Sequence, residues 1–267
     1  MSEREAKTGR SAFDFTGRRV LVTGASRGIG LGVAEGFIEA GAEVTLLADN
    51  EEVTRVAGQL SERHGCAVGG LVCDITERER LAAALEGLER IDVLVNNAGL
   101  ELITPIADPS PEVEETFRRI VEINVIGTFL VTRLALPKMG QGGRIIFTAS
   151  MWAKTAVAEY SAYCTSKHAN LGFMRSLAKE LAPRGISVNA VCPGWVRTAA
   201  SMRTLSVMAE REGRPEQELL GEITDAQAFP GLMEPADMVD SYLFLASDAA
   251  RNITGQALTV DRGDILQ

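Results

Sequence analysis

Cysteine, histidine and basic residues are scarce in this chain of 267 residues, and each scarcity excludes a class of protein. The four cysteines show no C-x-x-C spacing and the two histidines complete no zinc pattern, so we expect neither a disulfide scaffold nor a bound metal. Lys and Arg number 27 against 36 Asp and Glu, and the net charge of -9 argues against a nucleic-acid partner. No apolar run approaches the roughly 20 residues that cross a bilayer, and the first dozen residues lack the apolar stretch of a signal peptide. These features predict a cytoplasmic protein that binds neither nucleic acid nor a membrane.

Strand-like and helix-like segments alternate along the chain. Residues 19–23 (RVLVT) form a short apolar run, which is typical of a strand buried on both faces. Because repeated strand–helix units join through right-handed crossovers, the alternation predicts an α/β fold of Rossmann type, a doubly wound parallel sheet with helices on both faces. The other predicted strands are 43–47, 67–73, 91–95, 143–148, 186–191 and 257–260, and the predicted helices are 28–40, 51–64, 77–89, 112–136, 160–182 and 235–246.

No linker or low-complexity tract interrupts this series, so residues 15–267 are predicted to form a single domain behind a flexible extension of residues 1–14. Residues 196–233 are rich in Met, Glu and Arg but contain no strand-like run. A segment of that length in an α/β protein predicts a lid that covers the substrate. The alternative is a helical excursion that supports contacts between subunits.

Glycines cluster between the first predicted strand and the first predicted helix, in residues 23–30 (TGASRGIG). Glycine lets the backbone approach a pyrophosphate, whose charge is met by N–H groups and by the positive end of the helix. The spacing G-x-x-x-G-x-G also suits a tight turn that needs glycine for steric reasons alone. Because the cluster joins a strand to a helix, we interpret it as a dinucleotide-binding loop. Its candidate cofactor-binding residues are Gly24, Ser26, Arg27, Gly28, Ile29 and Gly30.

Further motifs follow this loop in order. Residues 96–99 read NNAG, Ser150 precedes a Y-x-x-x-K pattern made by Tyr163 and Lys167, and Asn124 stands in an N-x-x-G context. Together these motifs resemble those of the short-chain dehydrogenase/reductase family, from about residue 15 to residue 263. The resemblance implies an NAD(P)-dependent oxidoreductase with the catalytic residues Asn124, Ser150, Tyr163 and Lys167. It implies further cofactor contacts from Asp74, Ile75, Asn97, Ala98, Gly99, Tyr163, Lys167, Pro193, Gly194, Val196 and Thr198.

The spacing of Tyr163 and Lys167 places both side chains on one face of a predicted helix. An ammonium beside a phenol, with a positive nicotinamide ring nearby, is expected to lower the tyrosine pKa. Tyr163 would then take a proton from an alcohol, or return one to a ketone, while Ser150 hydrogen-bonds the same substrate oxygen. The resemblance implies that Lys167 also binds the nicotinamide ribose and that Asn124 holds a water linking Lys167 to solvent. Each of these residues alone also suits an ordinary structural role.

The choice between NAD and NADP rests on the end of the second strand. An acid there accepts hydrogen bonds from the adenosine ribose and repels a 2′-phosphate, and Asp49 is the candidate. Asp49 stands one residue later than the acid of most NAD-using relatives, where this chain has Ala48, and Arg27 could contact a phosphate. The carboxylate, with no Arg or Lys at the strand end, predicts NAD and leaves NADP open.

Glu101, Trp152 and Trp195 are the candidate substrate-binding residues. Hydroxybutyrate dehydrogenases of the family grip a carboxylate with Gln, His and Lys, and no cation stands at the matching places here. A carboxylate accepts hydrogen bonds from hydroxyl groups and repels an acid, so Glu101 predicts a neutral polyol or sugar as substrate. Arg197 or Lys154 could offset the charge of Glu101.

Two other functions stay open at this point. One is an NADPH-dependent 3-oxoacyl thioester reductase that acts on an acyl carrier protein. The other is a dinucleotide-sensing protein without turnover, which disagrees with the presence of all four catalytic residues. The resemblance also implies a homotetramer in which helices 112–136 and 160–182 pair between subunits.

Overall fold

Seven short parallel strands make one sheet in the structure, a computed structural model that describes residues 13–266. The predicted flexible extension of residues 1–14 therefore lies almost entirely outside the described residues. The strands are β1 (Arg19–Thr23), β2 (Glu43–Ala48), β3 (Gly69–Val72), β4 (Val93–Asn96), β5 (Arg144–Thr148), β6 (Ser187–Pro193) and β7 (Ala257–Val260). Their order is β3-β2-β1-β4-β5-β6-β7, so the winding reverses between β1 and β4. The doubly wound parallel sheet is as predicted.

Helices cover both faces of this sheet. With β1 and β2, the helices α1, α2 and α9 enclose one apolar cluster, and α3, α5 and α6 enclose a second cluster on the opposite face. Because both faces are covered, β4, β5 and β6 are buried along their whole lengths. The helices are α1 (Gly28–Glu39), α2 (Glu52–His64), α3 (Arg78–Glu86), α4 (Pro111–Val121), α5 (Thr128–Ala135), α6 (Ser161–Leu181), α7 (Ala199–Glu212), α8 (Glu216–Asp225) and α9 (Val239–Ala246).

The helix predicted over residues 112–136 is present, but its regular α-helical geometry is interrupted once. Its halves α4 and α5 are joined by a single π-helical turn, Glu122–Gly127, which contains Asn124. The continuous rod Pro111–Lys138 is long and apolar enough to cross a bilayer by length and composition, which corrects the expectation that no segment approaches that size. Core helices of globular proteins meet the same criterion, and this rod contacts α6 and buries Ile120 and Val131 inside the domain.

Residues 196–233, predicted as a lid or as a helical excursion, contain two helices, α7 and α8. The two ends of the segment meet, because Val196 and Met233 form an isolated bridge. Leu205 and Leu219 of the two helices pack with Trp152 in a third, smaller apolar cluster beside the sheet. The segment is thus a closed helical excursion that lies against the carboxyl edge of the strands.

Candidate active site

A cavity of about 350 Å³ opens at the carboxyl edge of the sheet, where β1 and β4 lie side by side. Ligands of open parallel sheets bind at this kind of edge, where the strand order reverses. All of the predicted cofactor-binding and substrate-binding residues line the cavity except Gly30, and all of the predicted catalytic residues line it except Asn124. Lining residues that the sequence did not single out include Asn50, Arg119, Thr148, Ser201 and Arg203.

The glycine loop makes a narrow turn between β1 and α1. Gly24 and Gly28 have positive φ angles of 63° and 59°, which side chains rarely adopt. Gly30 lies behind the loop, where a Cβ would come within 2.4 Å of both Asn97 Nδ2 and the Gly24 carbonyl oxygen. No side chain caps the start of α1, so its first N–H groups are available to an anion. This cradle fits the pyrophosphate of a dinucleotide, although Gly30 contributes through packing and does not line the cavity.

The NNAG segment is fastened to β1 by hydrogen bonds. Thr23 Oγ1 accepts hydrogen bonds of 3.0 Å from the N–H groups of Asn97 and Ala98. The Asn97 side chain donates to the carbonyl oxygens of Thr23 and Gly24, at 3.0 and 3.1 Å. The two motifs therefore hold each other in place and form one wall of the cavity.

The predicted adenosine end carries two acids. Asp49 is exposed directly after β2 and accepts a 2.7 Å hydrogen bond from Asn50 Nδ2. Asp74 follows β3 and pairs with Arg119 of α4 at 2.8 Å, a partner that the sequence did not indicate. Burial opposes ionisation of Asp74, but the backbone and hydroxyl of Thr76 together with Arg119 lower its pKa overall. Both acids are therefore available as carboxylate acceptors.

Ser150, Tyr163 and Lys167 meet just beyond the end of β5. Ser150 Oγ accepts a 3.1 Å hydrogen bond from Trp152 N and so caps a short 3₁₀ turn. Tyr163 and Lys167 share one face of α6, and Lys167 Nζ lies 5.5 Å from the centre of the tyrosine ring. Lys167 Nζ also donates a 2.8 Å hydrogen bond to the Thr148 carbonyl oxygen. The structure thus brings together three of the four predicted catalytic side chains around one cavity.

Burial has the largest effect on the pKa values of Tyr163 and Lys167. Loss of hydration raises the pKa of Tyr163 well above its usual value, the charge of Glu101 raises it further, and the Ser150 hydroxyl opposes both. Burial lowers the pKa of Lys167 to about 8, while Glu101 acts in the opposite direction. Desolvation of the phenolate therefore sets the direction of this pKa in the free protein, and the lowering expected beside a bound nicotinamide stays a prediction. Tyr163 is a phenol at neutral pH and is ready to donate a proton.

Asn124 lies in the π-helical turn and is fully buried. Its Oδ1 accepts a 2.7 Å hydrogen bond from Leu100 N, and its Nδ2 donates at 2.9 Å to the Leu100 carbonyl oxygen and to Ser166 Oγ. The side chain therefore holds the loop after β4 and does not face the cavity. The predicted water between Asn124 and Lys167 stays a prediction.

Glu101 extends from the loop after β4 toward α7. Thr204 Oγ1 donates a hydrogen bond to Glu101 Oε1, and Arg203 Nη2 donates at 2.9 Å to the Glu101 carbonyl oxygen. Burial raises the pKa of Glu101, while the Thr204 hydroxyl, Lys167 and Arg203 act in the opposite direction. Arg203 is exposed at the cavity mouth and forms no ion pair with any residue of 13–266, so a cation does stand beside Glu101.

Arg197 and Lys154, which the sequence suggested as partners that offset the charge of Glu101, both bind elsewhere, so that expectation is wrong. Arg197 instead pairs with Glu234 at 2.8 Å. Lys154 Nζ donates at 2.6 Å to Thr259 Oγ1 of β7. Both side chains are directed to the outer strands and the end of the helical excursion, and Thr204 and Arg203 take the predicted place.

Trp152 and Trp195 line the cavity but are almost entirely buried. Their rings meet edge to face at 6.2 Å between centroids, and Trp152 also contacts Tyr160 and Tyr163. Such aromatic contacts fix ring orientation. The two indoles therefore form a rigid apolar wall next to Tyr163.

Thr204 and Arg203 carry no sequence signal of their own. They belong to the helical excursion, and the chain between Glu101 and Thr204 spans 103 positions. Thr198, predicted to bind the cofactor, also begins α7, because its hydroxyl accepts a 3.1 Å hydrogen bond from Ser201 N. The S/T-x-x-S start of that helix is a signal from which the position of α7 could have been found.

One group of possible metal ligands, Glu35, Glu39 and His64, occurs among the described residues. It lies between α1 and α2, away from the cavity, and Glu35 already pairs with Arg63 and His64. Ion pairing accounts for this cluster, and it gives no support to a metal in the active site.

Known proteins resemble this chain over nearly its whole length. The model of a family described as Enoyl-(Acyl carrier protein) reductase matches residues 24–264. D-beta-hydroxybutyrate dehydrogenase of Cupriavidus necator is 34% identical and covers 95% of this chain and 100% of its own. L-sorbose reductase from Gluconobacter frateurii, solved with NADPH and L-sorbose, is 28% identical with a TM-score of 0.87, covering 96% of this chain and 100% of its own. The structure of 3-oxoacyl-[acyl-carrier protein] reductase from Brucella melitensis is 30% identical with a TM-score of 0.83, and the match covers 95% of this chain and 93% of its own.

Proposed function

The chain belongs to the short-chain dehydrogenase/reductase family, and we propose that its substrate is a neutral polyol or sugar and its preferred cofactor NAD. The family membership makes it an NAD(P)-dependent oxidoreductase acting on a secondary alcohol or the corresponding ketone. The observation that supports the substrate most directly is the Glu101 carboxylate at the cavity, oriented by Thr204 and able to accept a substrate hydroxyl.

Each residue around the cavity has a distinct role in the proposed reaction. A bound nicotinamide dinucleotide supplies or accepts the hydride. Tyr163 donates a proton to the ketone oxygen during reduction and accepts one from the alcohol during oxidation, and Ser150 hydrogen-bonds the same oxygen. Lys167 keeps one N–H on the Thr148 carbonyl oxygen, and its other N–H groups would be available to the ribose hydroxyls of a bound dinucleotide. Because oxidation of the alcohol releases a proton and reduction of the ketone consumes one, reduction is favoured at lower pH and oxidation gains as pH rises.

Asp49 supports NAD. Its carboxylate is exposed beside the cavity and can accept hydrogen bonds from ribose hydroxyls, whereas a 2′-phosphate would meet like charge. Arg27 lies across the same end of the cavity and is the residue that would favour NADP instead. Sorbose reductase binds NADPH, so NADP is the natural competitor in any test.

A 3-oxoacyl thioester reductase is the second candidate, favoured by the similarity to the Brucella melitensis reductase. It requires NADPH and a surface that accepts an acyl carrier protein. A dinucleotide sensor without turnover is a third candidate, and the joint presence of Ser150, Tyr163 and Lys167 at one cavity opposes it.

A homotetramer fits the apolar surface of the rod formed by α4, the π-helical turn and α5. Phe117, Ile126 and Phe129 are exposed on it, which is costly for a monomer. Light scattering at micromolar concentration is expected to give four times the chain mass, and a monomeric mass would contradict the assembly. The cytoplasmic location and the absence of a nucleic-acid or membrane partner stay predictions.

A substrate panel tests the proposed function. Polyols, sugars, hydroxy acids and 3-oxoacyl thioesters are each assayed with NAD(H) and NADP(H), and the highest kcat/KM is expected for a neutral polyol or sugar with NAD(H). Asp49→Asn should shift the NAD/NADP ratio of kcat/KM toward NADP by about tenfold, since the repulsion of the phosphate is removed. Asp240→Asn, an exposed acid of α9 outside the cavity, is the matched control. A thioester preferred with NADPH would favour the second candidate, and dinucleotide binding without any turnover would favour the third.

A further inference from the structure

Two buried hydroxyl groups meet beneath the end of β5. Tyr242 of α9 is completely buried, and its hydroxyl lies 2.7 Å from Thr148 Oγ1. Thr148 is the last residue of β5, and no sequence motif includes either residue. The hydroxyl pair connects α9, on one face of the sheet, to the strand end at the cavity.

Thr148 also holds the active-site lysine through its backbone. Its carbonyl oxygen accepts the 2.8 Å hydrogen bond from Lys167 Nζ, and within residues 13–266 no other protein atom accepts a hydrogen bond from this ammonium. Lys167 is only 4% exposed, so water contributes little to its position. The location of the ammonium therefore depends on the location of one carbonyl group.

At Thr148, whose carbonyl oxygen holds Lys167, the sheet provides a paired strand on one side only. Pairing of β5 with β4 ends one residue earlier, at Asn96 and Phe147, while pairing with β6 continues to Thr148 and Val191. The side toward β4 therefore lacks a strand partner at Thr148. A β-branched side chain has few χ1 rotamers, and the hydrogen bond to Tyr242 selects one of them and fixes the residue.

We propose that Tyr242 is a positioning residue for the reaction, which acts through Thr148 to place the Lys167 ammonium against the dinucleotide ribose. The proposal rests on the role assigned to Lys167 under the proposed function. Tyr242 touches neither cofactor nor substrate, since it does not line the cavity. Its effect is on where the ammonium points, so it changes dinucleotide affinity and turnover together.

Two single variants and their combination separate positioning from stability. Tyr242→Phe and Thr148→Val each leave one buried hydroxyl without a partner, and each is expected to lower the free energy of unfolding. The double variant removes both hydroxyls at nearly constant shape, so its stability should return close to that of the parent. If Tyr242 has the positioning role, the double variant still binds the dinucleotide 3–10-fold more weakly and turns over 3–10-fold more slowly, because residue 148 has lost the hydrogen bond that selects its conformation.

The controls keep each outcome decisive. Thr148→Ser retains the hydroxyl that Tyr242 contacts, so it should lose less affinity and turnover than the double variant. Thr132→Val removes a buried hydroxyl that accepts a 2.8 Å hydrogen bond from Asn96, outside the cavity, and should cost stability without a change in affinity. A double variant that regains stability, affinity and turnover together would overturn the proposal and leave the pair with a structural role.

A readout without turnover distinguishes this proposal from the proposed function. The chain has five lysines, so the ¹³C-labelled side-chain signal of Lys167 can be assigned by comparison with Lys167→Met. In the double variant the Lys167 signal is expected to shift and its titration to move upward from about 8, as a loosened ammonium gains water. An unchanged signal would overturn the positioning role even if the parent turns over no alcohol, whereas a parent without turnover but with a shifted signal would contradict only the proposed function.

Discussion

The two sides of the cavity recognise their ligands by different means. On the cofactor side, residues 24–30, 49, 74–75 and 97–99 stand at the ends of parallel strands and offer mainly backbone groups and glycine surfaces. On the substrate side, Glu101, Trp152, Trp195 and the helix α7 offer side chains from distant parts of the chain. Backbone groups bind phosphate almost independently of the neighbouring side chains. This contrast explains how relatives with different named substrates superpose on the chain with TM-scores above 0.8.

The largest effect is expected where the two sides meet. Tyr163→Phe removes the proton-transferring hydroxyl and keeps the ring, so kcat should fall by ~10²–10⁴. Dinucleotide affinity should stay within about twofold, because the cofactor side is unchanged; fluorescence titration measures this. Parental turnover in the variant would remove Tyr163 from its assigned role.

Burial of the Lys167 ammonium should make the free energy of unfolding depend on pH. The pKa of Lys167 is about 8 in the folded chain and 10.5 ordinarily, so between these values the unfolded chain binds more protons. The unfolding free energy of the parent, relative to Lys167→Met, should therefore rise by about 3 kcal/mol from pH 8 to pH 10.5 and stay level below pH 8. Urea unfolding of the free protein measures the difference. Lys179→Met, which removes an exposed lysine of α6, is the matched control.

Glycine substitutions compare the two sides directly. Gly30→Ala places a methyl group 2.4 Å from Asn97 Nδ2 and the Gly24 carbonyl oxygen, which forces the glycine loop to move. Dinucleotide affinity should fall by about tenfold. Gly221→Ala in α8 meets nothing within 4 Å and replaces a poor helix former, so affinity should be unchanged and stability equal or higher. Dinucleotide titration and thermal unfolding measure the two effects. Equal dinucleotide affinities and equal stabilities of the two variants would contradict the difference proposed between the cofactor side and the substrate side.

The smallest effect concerns the choice of substrate. Glu101→Gln should raise kcat/KM for hydroxy acids relative to neutral polyols by about 3–10-fold, since a carboxylate near the substrate is removed. Burial raises the pKa of Glu101, so at low pH the parent is itself neutral and the difference should grow as pH rises. Glu159→Gln, which pairs with Arg211 outside the cavity, is the control. A parent that prefers a hydroxy acid, with a ratio that the variant leaves unchanged, would show that Glu101 has no selective role.

The same contrast determines what the sequence could predict. Strand and helix periodicity predicted the sheet and most helices within a few residues, and the glycine loop was recognisable because steric demands restrict it to glycine. The contacts of Arg203 and Thr204 with Glu101 were not predictable, because they join side chains more than 100 positions apart without a local pattern. The desolvation that raises the pKa of Tyr163 in the free protein was not predictable either, because spacing along a helix shows which charge is near but not how deeply the phenol is buried.

The π-helical turn has a consequence for the whole rod of α4 and α5. A turn with one extra residue rotates everything beyond it by about 100° relative to an uninterrupted α-helix. The rod therefore has two angular phases: Ile120 faces the core in the first, and Val131 and Ala135 face it in the second. The change of phase occurs at the turn that contains Asn124, whose side chain hydrogen-bonds the backbone of Leu100. The extra residue thus lets α4 and α5 each turn an apolar face to the core while Asn124, between them, holds the loop after β4.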